Sequence, residues 1–365
     1  MSEPRDAFVP PHCPISDCPF HASRPDWRWS RHGFFSREAA PHRVQRFRCG
    51  HCGHTFSEQT FRTTYWLKRP DALEPVAFRL LTCSGYRQIV REAGCSPSTV
   101  ERHAERLGRH ALLLLEAFRP PEPIREPLVI DGFESFAWSQ YFPLHLHLVV
   151  GAESHFVYAF THSLLRRKGR MTERQKRRRA SLEARHGRPD PRALEHGMAA
   201  ALRLAVRSPQ ALTVRSDEHD AYPRALRRLP GCTLVHERTS SREARTPGNP
   251  LFPVNRLDLL LRHNGAHHKR ETIAFAKRHQ AVIWRAAWFL AWLNLSKEFS
   301  ERRRGGTPAM RVGLTDRPLP VSELLRWRHF PSRIRPPEPW AGYYRGEVRT
   351  PPIRNESSHR LRLAW

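Results

Sequence analysis

No run of about 18 or more uncharged apolar residues occurs in the chain, so no transmembrane helix is expected. The longest apolar stretch, 282–295, is interrupted by Arg285 and Asn294. The opening residues are charged and proline-rich and contain no apolar signal core. Acid is scarce: 35 Asp and Glu stand against 62 Lys and Arg, a formal net charge of +27. Such an imbalance says little about fold and much about partners. It points to a polyanion, with DNA or RNA held by counterion release as the leading reading. Arginine drift in a GC-rich genome accounts for some of the Arg but not for the shortage of acid. Cysteine is sparse too. The seven are clustered rather than spread as an even disulfide framework. That pattern excludes a disulfide-stapled secreted scaffold and suits metal binding in a reducing compartment. A soluble cytoplasmic protein is the expectation. What is present suffices for a real core, because hydrophobic residues make up 39% of the 365. That length allows one large domain or two to three small ones.

Four of the cysteines have zinc-ribbon spacing. Cys13 and Cys18 form one pair, and Cys49 and Cys52 form the other within CGHCGHTF at 49–56. Glycine after Cys49 and Cys52 permits the tight turn that aims backbone amides at thiolate sulfur. Two such knuckles supply the four soft ligands of a closed tetrahedral Zn2+ site. His12, His21, His51 and His54 are the candidates to replace one cysteine. WRW at 27–29 and HRVQRFRC at 42–49 look like short ribbon strands, and Arg43, Arg46 and Arg48 offer an outer face to phosphate or simply to solvent. Cys83, Cys95 and Cys232 lie apart and read as small buried side chains.

A helix-turn-helix candidate follows. The segment 86–93 reads as a helix with Ile89, Val90 and Ala93 on one face, and Gly94-Cys95 breaks it. Ser96 then caps a helix over 97–108 with Pro97 in its first position. Ser98, Thr99, Glu101 and Arg102 on its exposed face would meet base edges in a major groove. A plain helical hairpin between domains is the other reading. The proline-rich segment 120–127 reads as a stiff linker.

From 128 onward the pattern is three strands (128–137, 144–151, 155–161), a highly charged stretch read as a basic helix or arm, a helix near 192–206, a strand at 211–215, a helix at 221–228 and a strand at 232–235. Three antiparallel strands, helix, strand, helix, strand is the order of an RNase H-like fold. That fold places one acid on its first strand and one just after its fourth, and Asp131 and Asp217 fall in those places. Oxygens from two such carboxylates can bridge two Mg2+ (or Mn2+) ions for phosphodiester chemistry. Taken singly, either aspartate reads as a turn or cap residue.

CGHCGHTF, SDEHDAY at 216–222, and NRLDLLLR at 255–262 leading to AFAK at 274–277 together resemble the bacterial insertion-sequence DDE transposases that carry a zinc ribbon, a helix-turn-helix and an RNase H-like core. The resemblance covers about residues 13–300. It implies metal-dependent cleavage and strand transfer of double-stranded DNA, both element ends and target, by a homo-oligomer. It also implies a third acid from the helix near 255. There the chain departs from the pattern and has Asn255, with Asp258 one helical turn on and Glu271 further away. An amide oxygen can ligate Mg2+ but brings no charge. Either asparagine completes an Asp-Asp-Asn site, with Asp258 compensating, or this copy is inactive and binds DNA as a regulator or relic. The former is preferred, because the rest of the chain shows no lesion. An RNA-processing nuclease shares the same metal logic. Arg262 and Lys269 are expected to face the DNA backbone. The Trp284, Trp288 and Trp292 stripe reads as core packing.

The expected organisation is an α/β protein with a ribbon at 1–66, a helix-turn-helix at 67–119, the linker at 120–127, the core at 128–300 with a basic insertion at 163–192, and a loosely structured basic, Pro-rich tail at 301–365.

Overall fold

The computed structural model describes residues 8–269, 271–302 and 304–353. It is a mixed α/β structure with a cysteine cluster near its N-terminus. The last dozen positions of the expected tail lie outside the described residues.

The N-terminal unit is a three-stranded antiparallel sheet: β1 (Trp29–Ser36), β2 (Arg43–Cys49) and β3 (Thr55–Ser57). Its apolar core is small and consists of Phe47, Phe56 and Phe61 around the buried cysteines, closed by Phe330 from the far end of the chain.

Three helices follow: α1 (Leu73–Leu80), α2 (Tyr86–Ala93) and α3 (Pro97–Ala117). The turn between α2 and α3 is built as the residues dictate. Gly94 sits at φ 55°, and Ser96 Oγ accepts from the Thr99 amide at 3.2 Å. α3 does not stop at 108 as the periodicity suggested. It runs on through a fully buried stretch from Leu107 to Leu115, since nothing in HALLLLEA breaks a helix.

That second half of α3 crosses α8 (His279–Leu295), which is apolar on nearly all sides and carries the tryptophan stripe. Trp288 is buried, with its indole donating to the Ala77 carbonyl at 2.9 Å. Trp284 and Trp292 are only partly covered. Gly108 lies at the crossing, where an added Cβ would collide with Cα, Cβ and Cγ of Trp284. Gly108→Ala is therefore expected to destabilise the protein by about 1–3 kcal/mol despite its gain in helix propensity. Urea unfolding beside wild type measures this, and an unchanged midpoint would refute it.

The central sheet has five strands in the order β6-β5-β4-β7-β8. β4 (Leu128–Phe136), β5 (Pro143–Gly151) and β6 (Val157–Leu164) are antiparallel neighbours, while β7 (Ala211–Ser216) and β8 (Thr233–Arg238) add parallel to β4. β5 is buried along its whole length, which requires layers on both faces. Helices α5 (Ala193–Ala205), α6 (Ala221–Leu226) and α7 (Phe252–Asn264) join α8 around the sheet. α4 (Glu173–His186), the basic insertion, buries no residue and is held by an ion pair from Arg166 to Glu183 at 2.8 Å.

The segment read as a stiff linker and the described part of the tail read as loosely structured are both packed. Ile124 is buried, its amide donates to Gln210 at 2.8 Å, and Glu126 accepts from the Glu153 and Ser154 amides. The segment 120–127 therefore does not hold the helices away from the sheet, and one continuous apolar core joins α1–α3 to β4–β7 and α8. The described part of the expected tail is also folded. It contains α9 (Pro308–Arg311), α10 (Val321–Leu324) and α11 (Trp340–Arg345), with Leu324, Phe330, Trp340, Tyr343 and Tyr344 buried. Trp340, Tyr343 and Tyr344 do have the i, i+3, i+4 spacing of a helix face, but the run is only six residues long between Pro- and Arg-rich segments, too short to predict packing from sequence.

Candidate functional site

The acids come together through the sheet. β4 and β7 run parallel with Leu128 opposite Val214 and Val129 opposite Arg215. Asp131 lies two residues further along β4, and Asp217 follows Ser216, the last residue of β7. The two carboxylates are near enough that the charge of Asp217 acts on Asp131. Both residues are half-buried.

Their surroundings hold them in place. Asp131 Oδ1 accepts from the Gly132 amide at 2.7 Å and from the Tyr222 hydroxyl at 3.0 Å. Asp217 Oδ1 accepts from the His219 amide at 2.9 Å, which fixes the turn after β7. Gly132 is required at its position, because any Cβ there would run into the imidazole ring of His145 on β5. Burial lowers the pKa of His145 to about 4 and that of His147 well below the usual range, so both rings are neutral on the sheet face opposite Asp131, where they pair with Glu134 and Gly132.

α7 brings the third candidates. It packs across β4 and β5 with Asn255 and Asp258 both half-buried. Asp258 behaves as a member of the acid group. Burial first, and then the negative charge of Asp131, raise its pKa to about 8, against the opposing pull of Arg262 and Arg245. Burial also raises Asp131, and Asp217 adds to that, while the Gly132 amide and the Tyr222 hydroxyl pull the other way. Asp258 Oδ1 is buried without a hydrogen-bond partner, an arrangement that costs free energy unless a proton or a cation occupies it. The phenol of Tyr222 feels Asp131, Asp217 and Asp258 together, which raise its pKa further after burial.

Three carboxylates and one amide are the hard oxygen donors that magnesium takes. They are not drawn into a tight cluster: among the described residues, the one group of His, Cys, Asp and Glu close enough to share an ion is the four cysteines.

The raised pKa of Asp258 has a testable sign. Its folded value exceeds its ordinary one, so this carboxyl favours the folded state fully below pH about 4 and loses that advantage as pH rises through about 8. Asp258→Asn should therefore be more stable relative to wild type at pH about 9 than at about 5, by roughly 1–3 kcal/mol. Urea unfolding in magnesium-free buffer reads this difference, and an equal gap at both pH values would refute it.

Arg262 is folded against the sheet. Its guanidinium lies 4.6 Å from the Phe133 ring centre and donates to the His268 carbonyl at 3.2 Å, beside Asp258 rather than out in solvent. Lys269 is exposed. Ser98 and Arg102 are exposed on α3, and Thr99 is half-exposed with its amide engaged by the Ser96 cap.

The cysteine group fits zinc. Cys13 and Cys52 sulfurs are 3.7 Å apart and those of Cys18 and Cys49 are 4.0 Å apart. Four ligands at zinc–sulfur distances of about 2.3 Å in a tetrahedron give about 3.8 Å between sulfurs. The Trp27 indole donates to Cys49 sulfur at 3.3 Å, as an outer partner of a thiolate does. No histidine is needed as a ligand. The Nδ1 atoms of His12 and His21 both bond the Cys13 carbonyl, and His21 Nε2 reaches Ser332.

One neighbour of the acids, Arg245, carries no periodic or motif signal of its own; it lies in the loop after β8 and acts on both Asp131 and Asp258. Tyr222, at the start of α6, closes the SDEHDAY stretch, but nothing in that stretch shows that its hydroxyl reaches Asp131.

No protein-family model and no curated protein matches this chain. A solved structure that superposes on it is the cryo-EM structure of a simian T-cell lymphotropic virus intasome in complex with the PP2A regulatory subunit B56 gamma. The match has 12% identity over 67% of this chain and 74% of that one. Its TM-score of 0.27 is too low to carry fold or function to this chain.

Proposed function

We propose that the chain is a DDE-type transposase, with a metal-dependent nuclease and strand-transfer centre at Asp131, Asp217 and Asp258. The observation that carries this reading is the coupling of Asp131, on β4, with Asp217, just past the end of the parallel neighbour β7, and with Asp258 on α7, in a sheet ordered β6-β5-β4-β7-β8. That order and its strand directions support an RNase H-like core. The ribbon and α2–α3 would serve as the DNA-binding part.

Two magnesium or manganese ions bound here would activate the attacking oxygen and stabilise the leaving one. The protein's own residues do the positioning. Tyr222 and the Gly132 amide fix one oxygen of Asp131. The unpartnered oxygen of Asp258 supplies the charge that Asn255 lacks, and Asn255 is left as a neutral donor on the preceding turn. Arg245 balances the acid charge from the exposed side. Double-stranded DNA is the substrate, and a homo-oligomer on DNA is the working form.

A DNA-binding regulator without catalysis is the second reading, and Asn255 is the observation in its favour. Nicking of supercoiled DNA by the wild-type chain with magnesium and with manganese separates the two. Metal-dependent nicking establishes the enzyme. DNA binding with neither metal supporting nicking establishes the regulator.

A further inference from the structure

Beside α3 the loop 63–69 presents an exposed tryptophan ringed by cations. Trp66 is 63% exposed, and its backbone stands at φ 60°, a left-handed conformation unfavourable for a bulky residue. A single exposed apolar side chain is ordinary. This one is held in place from both sides. Arg106 of α3 donates to the carbonyls of Thr63 and Tyr65, each at 2.9 Å. His103, one helical turn earlier, bonds the Arg69 carbonyl at 3.1 Å. The Thr63 hydroxyl donates to the Leu325 carbonyl, and the Leu67 amide bonds the Thr64 carbonyl at 3.1 Å. An unfavourable backbone persists only where its surroundings over-determine it, and such outliers gather at binding sites.

The space between this loop and α3 is a groove lined by Trp66, Lys68, Arg69, Thr99 and Arg102, among others. Lys68, Arg69 and Arg102 are exposed. Lys68 and Arg102 have no carboxylate partner among the described residues, whereas Arg69 pairs with Asp71. Glu105 also lines the groove, and it pairs with Arg109. The surface is thus cationic, with an aromatic face at its edge, on the same side as the N-terminal turns of α3. Cations spaced along a groove suit phosphates, and an indole held clear of the protein suits the flat face of a base or the edge of a sugar.

We infer that this groove is a second contact with double-stranded DNA, in which Trp66 packs on a nucleotide flanking the site of α3 while Lys68 and Arg102 hold its phosphates. The inference rests on the reading of α2–α3 as DNA-binding and adds a residue that no motif marks. The indole supplies apolar contact that salt does not screen, and the cations supply the salt-dependent part.

The test uses the full chain with a fluorescein-labelled mixed-sequence duplex and, in parallel, its labelled single strand, with binding followed by anisotropy between about 50 and 200 mM salt. Trp66→Ala should weaken binding about tenfold, the scale of one aromatic–base contact, with the slope of log K against log salt unchanged. Trp66→Phe should restore most of the affinity, and thermal transitions matching wild type show that both variants fold. Arg102→Ala should lower the salt slope by about one. If Trp66→Ala binds as wild type while Arg102→Ala still lowers the slope, the groove assignment is overturned and the α3 reading stands. If Trp66→Ala weakens binding only to the single strand, the duplex assignment is overturned. If neither variant changes binding, the reading of α2–α3 itself fails.

Discussion

Asp131→Ala and Asp217→Ala are each expected to reduce metal-dependent DNA cleavage by about a thousandfold or more, while duplex binding stays within about twofold of wild type. The size follows from what each carboxylate does. Asp131 sits on β4 and Asp217 just past the end of its parallel neighbour β7, and the two are electrostatically coupled, so in the proposed site removing either one would delete charged donors that a shared ion needs. Asp258, which feels the charge of Asp131, remains but leaves the set one carboxylate short. Binding should persist because the basic surface and α3 lie elsewhere on the chain and neither substitution touches them. The readout is nicking of supercoiled DNA with magnesium or manganese beside an anisotropy titration. A variant that cuts at the wild-type rate sinks the assignment of that acid. Asp258→Ala and Asn255→Ala, run in the same assay, decide the third position. The buried, unpartnered oxygen of Asp258 and its coupling to Asp131 predict the larger loss there.

The second large effect concerns zinc. Cys18→Ser should release the metal and unfold the ribbon, because the aromatic core around the cysteines is too small to hold three short strands by itself. Structural zinc sites in peptides of this kind contribute roughly 10–16 kcal/mol of apparent binding free energy near neutral pH. That free energy is what couples the two knuckles. The damage should extend to residues near 325–332, since Phe330 closes the ribbon core, the Thr63 hydroxyl bonds the Leu325 carbonyl, and Ser332 bonds His21. Metal content by elemental analysis, with limited proteolysis of the ribbon, reads both effects. A Cys18→Ser chain that keeps stoichiometric zinc and resists proteolysis as wild type does would show that the cluster is not a zinc site.

Part of this structure was legible in the residues alone. The helix read at 86–93 is α2, residue for residue, because Gly85 and Gly94 bound a short amphipathic run. The five strands after residue 128 are found where β-branched and apolar runs placed them, within three residues at either end. The four cysteines converge, as their spacing required.

Other features depend on partners distant in sequence. No local pattern shows that α3 continues to Ala117, since a helix ends only where something stops it, and its far half is buried by α8. Nor could a local pattern place Arg262 over Phe133, the Tyr222 hydroxyl on Asp131, or Arg245 near both acids. The packing of 120–127 was equally hidden, because one buried apolar residue, Ile124, gives no periodicity, and in the stretch toward residue 353 the helical spacing of Trp340, Tyr343 and Tyr344 does not show what those rings pack against.

Sequence by itself determined which residues could carry chemistry, because hydrophobic alternation, glycine breaks and cysteine spacing act over a few residues. Only the tertiary structure decided which of those residues meet, because the pairing of β4 with β7 that brings Asp217 near Asp131 and the packing of α7 that brings Asp258 near Asp131 are set by hydrogen bonds and contacts between segments about eighty to a hundred and thirty residues apart.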